Sequence, residues 1–367
     1  MIYLDNAATS YPKPGCVWHE MQKYLSCGNP GRGAHKLAVW GAEKVYETRS
    51  VCAKMFGCEA ENVVFTSGAT MALNIAIKGL VPDSCHIITT DIEHNSVRRP
   101  LFSLCKHKNC SVSYADTRFP EAVPSLMEKL IRPDTRAIVC THASNIVNRV
   151  LPIYEIGKMA ERHGLIFIVD ASQSVGKYEI NVKKAKINAL AIAGHKGLMG
   201  PMGVGLLVID GKYSVKTLLE GGSGSQSELF EMPSELPDRL EAGTLPLPAI
   251  AGLCSGIKYV SNVGIDRIRE HEEKLYDIAV ANLRYATVFE KEKRGSNILF
   301  RVDGMTPAET AKRLDALGVC VRSGMHCAPD AHNSVGSGEK GAVRASIGPL
   351  TSEGDVRVFA DIVNSFN

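Results

Sequence analysis

Seven short apolar runs rich in β-branched residues constrain this chain most: 63–65, 86–89, 112–114, 137–140, 165–169, 189–192 and 204–208. Several are apolar throughout, as strands covered on both faces should be. Some of the segments between them have helical spacing; residues 152–163 are one, with Gly164 marking the end. This alternation predicts an α/β sheet with helices on both faces.

After Gly243 the pattern changes. Helical stretches over 248–263 and 265–287 lead to a strand at 298–302, a helix at 307–317, strands at 319–321 and 342–345, and a last helix from Ser352. A chain of 367 residues exceeds the usual single domain. The expected division is an N-terminal segment (1–15) packing with the small domain, a large domain (16–245) and a small α+β domain (246–367).

Charge and cysteine usage narrow the function. A net charge of +3 without long runs of one sign gives no footprint for nucleic acid. No apolar run reaches membrane-spanning length. The 11 cysteines show no paired or metal-ligand spacing, and residues 1–5 lack the organisation of a signal peptide. The expectation is a cytoplasmic protein with reduced thiols and no metal site.

Two residues placed on this frame point to one chemistry. Lys196 stands in Gly194-His195-Lys196-Gly197, within a Gly/Pro-rich turn reaching Gly205, and Asp170 closes an apolar strand. Ligands of open α/β sheets bind beyond the carboxyl ends of the strands. A lysine amine there can bond an aldehyde, and a carboxylate can keep a pyridine nitrogen protonated, which is what pyridoxal phosphate requires. The glycines follow the lysine rather than precede it, so this is not a P-loop. Gln173 could reach the ring hydroxyl from the same turn as Asp170. Ser67-Gly68-Ala69-Thr70 opens a helix whose free N–H groups suit the cofactor phosphate. Glu93-His94 occupies another strand end. Cys327, in Arg322-Ser323-Gly324-Met325-His326-Cys327-Ala328-Pro329, is a candidate nucleophile, with Arg322 and His326 as sources of positive charge to lower its pKa. Plainer readings exist: Asp170 as a turn cap, His94 as a surface residue, Cys327 as an inert thiol.

Taken in order, the motifs resemble the cysteine desulfurases and selenocysteine lyases, class V aminotransferases of pyridoxal phosphate fold type I, in the SufS-like branch. The resemblance runs from Tyr3-Leu4-Asp5-Asn6-Ala7-Ala8-Thr9 through Asn29-Pro30-Gly31-Arg32-Gly33-Ala34-His35, Ala143-Ser144-Asn145 and Glu241-Ala242-Gly243-Thr244 to Val343-Arg344-Ala345-Ser346. It implies a mixed, mainly parallel seven-stranded sheet and a smaller C-terminal domain carrying the nucleophilic cysteine. It also implies that Lys196 bonds the cofactor, Asp170 pairs with the pyridine nitrogen, Gln173 and Asn145 lie near the phenolic oxygen, and His94 stacks on the ring. Ala69, Thr70 and His195 would bind the phosphate, joined by Thr244 from the second subunit of a homodimer. Arg344 would hold the substrate carboxylate as a bidentate pair, with Asn145 and His35 beside the substrate. The implied activity converts L-cysteine to L-alanine and passes sulfur from a Cys327 persulfide to an acceptor, as in iron–sulfur cluster assembly.

The chain departs from the family at Ala193, where relatives have a hydroxyl, at Leu245-Pro246-Leu247-Pro248, at Pro349-Leu350-Thr351, and at Asn148-Arg149 in place of Gly-Thr. Arg149 invites the expectation of a guanidinium at the substrate entrance for a second anionic group, beside the plainer reading of a solvated turn residue. L-Selenocysteine as substrate, another pyridoxal phosphate reaction such as transamination or epimerisation, and a non-catalytic sulfur-transfer scaffold stay open.

Overall fold

The structure is a computed structural model and describes residues 1–31 and 33–366. Arg32, part of the Asn29-to-His35 motif, and Asn367 lie outside the described residues. The first part of the chain contains β1 (Ile2–Tyr3), α1 (Gly15–Lys23), α2 (Lys36–Phe56), β2 (Val63–Thr66), α3 (Ala69–Leu80), β3 (His86–Thr90), α4 (Asn95–Lys108), β4 (Ser111–Ala115), α5 (Val123–Lys129), β5 (Thr135–Thr141), α6 (Ile153–Arg162), β6 (Ile166–Asp170), β7 (Ala189–Ala193) and β8 (Gly205–Ile209). The rest contains α7 (Leu247–Val263), α8 (Ile265–Asn282), β9 (Ala286–Val288), β10 (Asn297–Val302), α9 (Pro307–Ala316), β11 (Val319–Cys320), β12 (Arg322–Gly324), α10 (Pro329–Ser334), β13 (Ala342–Ser346) and α11 (Glu353–Asn364).

The seven expected runs form one seven-stranded sheet in the order β2-β8-β7-β6-β5-β3-β4. Six of the strands share one direction and β8 alone runs against them, between β2 and β7. An antiparallel partner can follow through a short connection, whereas parallel strands need a crossover. The turn carrying Lys196 is that short connection. Successive residues of β5 serve opposite cores: Ile138 and Cys140 face one, Ala137 and Val139 the other. Burial on both faces explains why the inner strands read as continuous apolar runs; each fully buried Ile or Val contributes about 1.5–3 kcal/mol.

A four-stranded antiparallel sheet, β12-β13-β10-β9, forms the second body. Phe300 of β10 meets Phe359 of α11 edge-on at 5.7 Å, within a core that also takes Leu275 and Tyr276 from α8. The first strand belongs here too: β1 pairs with β11, Ile2 opposite Val319 and Tyr3 opposite Cys320. Helix α7, just beyond the expected boundary at residue 245, packs on the large body. Leu247, Ile250, Leu253 and Ile257 of α7 join the large core, and the chain changes core after Gly264, whose φ of +94° favours glycine.

Candidate active site

Strand ends converge on one edge of the sheet. Ala193 of β7 pairs with Gly205 of β8, and Gly205 with Thr66 of β2. The residues just beyond, with Asp170 at the end of β6, line a cleft of about 340 Å³. Ala69, Thr70, His94, Asn145, Asp170, Gln173, His195, Lys196 and Arg344 all contribute to its wall.

Backbone contacts fix Lys196. A Cβ on Gly197 would lie 2.0 Å from the Val175 carbonyl oxygen, so only glycine lets this turn close against the Asp170–Val175 segment. From the other side Lys13 Nζ donates to the His195 carbonyl at 2.7 Å and Ser10 Oγ to the Lys196 carbonyl at 3.0 Å. Confinement in the cleft, reinforced by the cations of Arg344 and Arg322 and opposed by Asp170, lowers the Lys196 amine to about 8. Near neutrality more of it is therefore unprotonated and nucleophilic.

Asp170 is held in place by Ser172, whose N–H and hydroxyl donate to Oδ1 at 2.9 and 2.5 Å, while Oδ2 accepts no hydrogen bond among the described residues. Gln173 Nε2 donates to the Ala7 carbonyl at 2.9 Å. His94 caps α4, its Nδ1 accepting from the Ser96 N–H at 3.0 Å, which leaves the ring proton on Nε2. Burial, and to a lesser degree the Lys196, Arg322 and Arg344 cations, push His94 down to about 4, so it is a neutral imidazole. Ser96 Oγ also lies 2.8 Å from Thr70 Oγ1. Gly68, at φ +148°, precedes α3 without a side-chain cap, leaving the helix N-terminus open to an anion. Arg344 is 1% exposed; its Nη1 donates to the Asn145 carbonyl at 2.7 Å and Nη2 to Asp5 Oδ1 at 2.8 Å.

Among the described residues, two buried donor-capable atoms of the site lack partners, His195 Nδ1 and Arg344 Nε. These, the open α3 terminus, the free Asp170 oxygen and the activated lysine form a donor set that fits pyridoxal phosphate. The aminotransferase class-V family pattern matches residues 2–359. This chain belongs to that family. It is a cysteine-desulfurase-like, fold-type I pyridoxal phosphate enzyme. A probable cysteine desulfurase of Pyrococcus abyssi is 34% identical, covering 99% of this chain and 93% of the relative. One from Methanothermobacter thermautotrophicus is 32% identical, covering 98% and 93%. The solved cysteine desulfurase of Thermococcus onnurineus superposes with a TM-score of 0.91 at 32% identity, covering 100% of this chain and 94% of that one.

Cys327 sits beside the cleft wall rather than in it. Its neighbours Arg322 and His326 are the lining residues, and Arg322 Nη2 is 3.7 Å from Cys327 Sγ. His326 and Cys327 both have positive φ, 49° and 58°, a strained pair for side-chain-bearing residues. Their carbonyls are tied to the large body: Asn145 Nδ2 donates to His326 O at 2.9 Å and Asn95 N to Cys327 O at 2.7 Å. The expectation that His326 adds positive charge is corrected. His326 Nε2 faces the Arg322 carbonyl at 3.1 Å and must donate; Nδ1 then accepts from His332 Nε2 at 3.0 Å. Burial pushes His326 down to about 3 and His332 to about 4, leaving both neutral, so the nearby cation is Arg322.

Two expected site residues lie elsewhere in the chain's own fold. Thr244 is exposed, on a separate cavity with Gly31, Arg49 and Glu241. His35 is exposed and caps α2, accepting from the Ala38 N–H at 3.4 Å. Conversely, Asp5, Ser172 and Ser96 emerge as supports of Arg344, Asp170 and His94. Asp5 was visible only as part of an N-terminal motif without a role. Among the described residues no group of three or more His, Cys, Asp or Glu could hold a metal, and no helix is long and apolar enough to cross a membrane.

Behind Asp170, Glu93 is fully buried, accepting from the Thr141 N–H at 2.9 Å and from Thr90 Oγ1 at 2.5 Å. Burial, with Asp170 and Asp91 adding repulsion, raises it from 4.5 to about 8. The folded pKa exceeds the unfolded one, so this carboxyl's contribution is fully present below 4.5 and is lost as pH rises towards 8. Glu93→Gln is therefore expected to gain stability relative to wild type as pH rises, by up to ~1.4 kcal/mol per pH unit across that window. Urea unfolding at pH 5 and 7.5 checks this; a difference that does not change with pH would reject it.

Proposed function

We propose that this enzyme is a cysteine desulfurase that converts L-cysteine to L-alanine and holds the sulfur as a persulfide on Cys327 for a sulfur acceptor. The observation that carries the reading is a half-buried thiol, 3.7 Å from the Arg322 guanidinium, on a strained segment tied to the wall of the Lys196 cleft. The relatives named cysteine desulfurases support it.

Bound pyridoxal phosphate supplies an electron sink for the substrate α-carbon. Asp170 would keep its ring nitrogen protonated, Gln173 and Asn145 would face its phenolic oxygen, and Ala69, Thr70 and His195 would hold its phosphate. Arg344 would orient the substrate carboxylate through its free Nε–H, with Asp5 and the Asn145 carbonyl fixing the guanidinium. Lys196 would carry the α-proton, its lowered pKa suiting a base near neutral pH. The Cys327 thiolate would attack the substrate sulfur: an S–S bond forms, the C–S bond breaks, and the carbon takes up the electron pair and then a proton. Cysteine plus thiol thus becomes alanine plus persulfide, with no external oxidant.

A homodimer is part of the proposal, supported by Thr244 being exposed and away from its own cleft, where a second copy could receive it. So is a reducing, cytoplasmic setting that keeps Cys327 a thiol. The test compares alanine release from L-cysteine and L-selenocysteine with a persulfide map. Alanine from cysteine with sulfur on Cys327 is expected. Alanine from selenocysteine alone would make the protein a selenocysteine lyase, and a keto acid or racemised amino acid would reject both readings.

A further inference from the structure

We propose that Asn148 and Arg149 form a clasp between the two bodies that sets the position of the Cys327 segment, making Arg149 a positioning residue for the thiol. Only the effect on turnover rests on the desulfurase reading; the geometry of the clasp does not.

Arg149, in the loop beyond β5, is 1% exposed. Its Nε donates to both oxygens of Glu290 at 3.0 Å, and Nη2 donates to the same carboxylate. Nη1 donates to Thr117 Oγ1 at 3.0 Å and to Ser334 Oγ at 2.7 Å. Ser334 in turn donates to Asp91 Oδ2 at 2.6 Å. The guanidinium is therefore committed inside the protein, and the expectation that it meets a second anionic group of a substrate is corrected.

The partners come from three places. Thr117 and Asp91 belong to the large body, Glu290 lies between β9 and β10, and Ser334 ends α10, the helix that follows Cys327. Asn148 adds a second grip on the small body. Its Oδ1 accepts from the N–H groups of Ser296 and Asn297 at 3.1 and 3.0 Å, and its Nδ2 donates to the carbonyls of Lys293 and Asn297 at 2.9 Å each. Gly295 makes room for it, since a Cβ there would come within 2.3 Å of Asn148 Oδ1.

A buried guanidinium is costly to desolvate, and a well-packed apolar pair could fill such a site at no loss of stability. What an apolar pair cannot do is fork. The planar guanidinium binds Glu290 along one edge while reaching Ser334 and Thr117 with the other nitrogen, fixing three segments in one geometry. The strained Cys327 segment is thereby restrained at both ends, by Asn95 and Asn145 at its carbonyls and by Arg149 at Ser334.

The test uses the full-length, cofactor-loaded protein, with the rate of Cys327 alkylation by iodoacetamide, followed by peptide mass spectrometry, as the primary readout. Arg149→Met is expected to keep the cofactor absorbance, label Cys327 about tenfold faster and lower the thermal midpoint. For cysteine it should reduce kcat about tenfold or more with little change in KM, as misplacement of a reacting group does. The double variant Arg149→Met/Glu290→Met, which leaves no unpaired carboxylate at 290, is expected to recover the midpoint while labelling stays fast. Ser334→Ala, which cuts the link to α10 alone and does not threaten folding, is expected to accelerate labelling without moving the midpoint. Labelling that returns to the wild-type rate together with the midpoint, or that stays unchanged in Ser334→Ala, would overturn the clasp. Wild-type protein without desulfurase activity but with these labelling changes would sink the proposed reaction and leave the clasp standing.

Discussion

Lys196→Ala is expected to abolish turnover of every amino acid substrate and the near-visible absorbance of covalently held cofactor, while leaving a folded protein. Loss of a positioned base alone costs about 10²–10⁴-fold, and this residue is also the attachment point. The fold should tolerate the change because the lysine does not stabilise the cofactor-free protein. Its folded pKa of about 8 lies below the ordinary 10.5, so burying the charged form costs stability below about pH 8, and that cost fades as pH rises towards 10.5. Absorbance and alanine release, read beside a thermal melt of the cofactor-free protein, separate chemistry from folding. Residual colour and turnover in this variant would mean that another amine serves.

Cys327→Ser should keep the colour and lose L-cysteine turnover and persulfide together, with a loss of about 10³-fold or more because a hydroxyl cannot replace the thiolate as sulfur acceptor. Release of selenide from L-selenocysteine is expected to survive in part, since selenium leaves with less help. Several of the other thiols offer poor substitutes: burial pushes Cys140 well up, Cys58 to about 11 and Cys85 to about 12. Full cysteine turnover in the variant, with sulfur mapped to another residue, would refute the assignment.

Strand positions were legible because the inner strands of the large sheet are covered on both faces, so the 189–192 run appears as β7 within one residue; the edge strand β4, with Ser111 and Tyr114 exposed, is not covered in this way. The residues at strand ends, Asp170, Lys196 and His94, were legible for the related reason that this architecture puts ligand chemistry at one edge. Burial and pairing across long separations were not. Arg149 sits in a polar turn sequence that resembles solvated surface, and its partners at 290 and 334 have no local signature. His326 stands four residues after Arg322 in sequence, but its neutrality comes from burial, with Arg344 and His332 packed nearby, which neighbours along the chain do not reveal. The amphipathic pattern of α7 announces a helix without saying which of two cores will take its apolar face.

The placement of residues 1–13 has a consequence for biosynthesis. Tyr3 pairs with Cys320, Asn6 Nδ2 reaches the Ser346 carbonyl at 3.0 Å and Asp5 holds Arg344, while Ser10 and Lys13 grip the backbone at His195. These residues can find their seat only after β13 has been made. Contacts separated by more than 330 residues carry a high loop-closure cost and form late. The large sheet can collapse before β13 is made, but Arg344 acquires its support only when β13 and residues 5–6 come together. A chain that stops short of β13 thus holds the seven-stranded sheet without an assembled reaction centre, and competence arrives with one long-range closure.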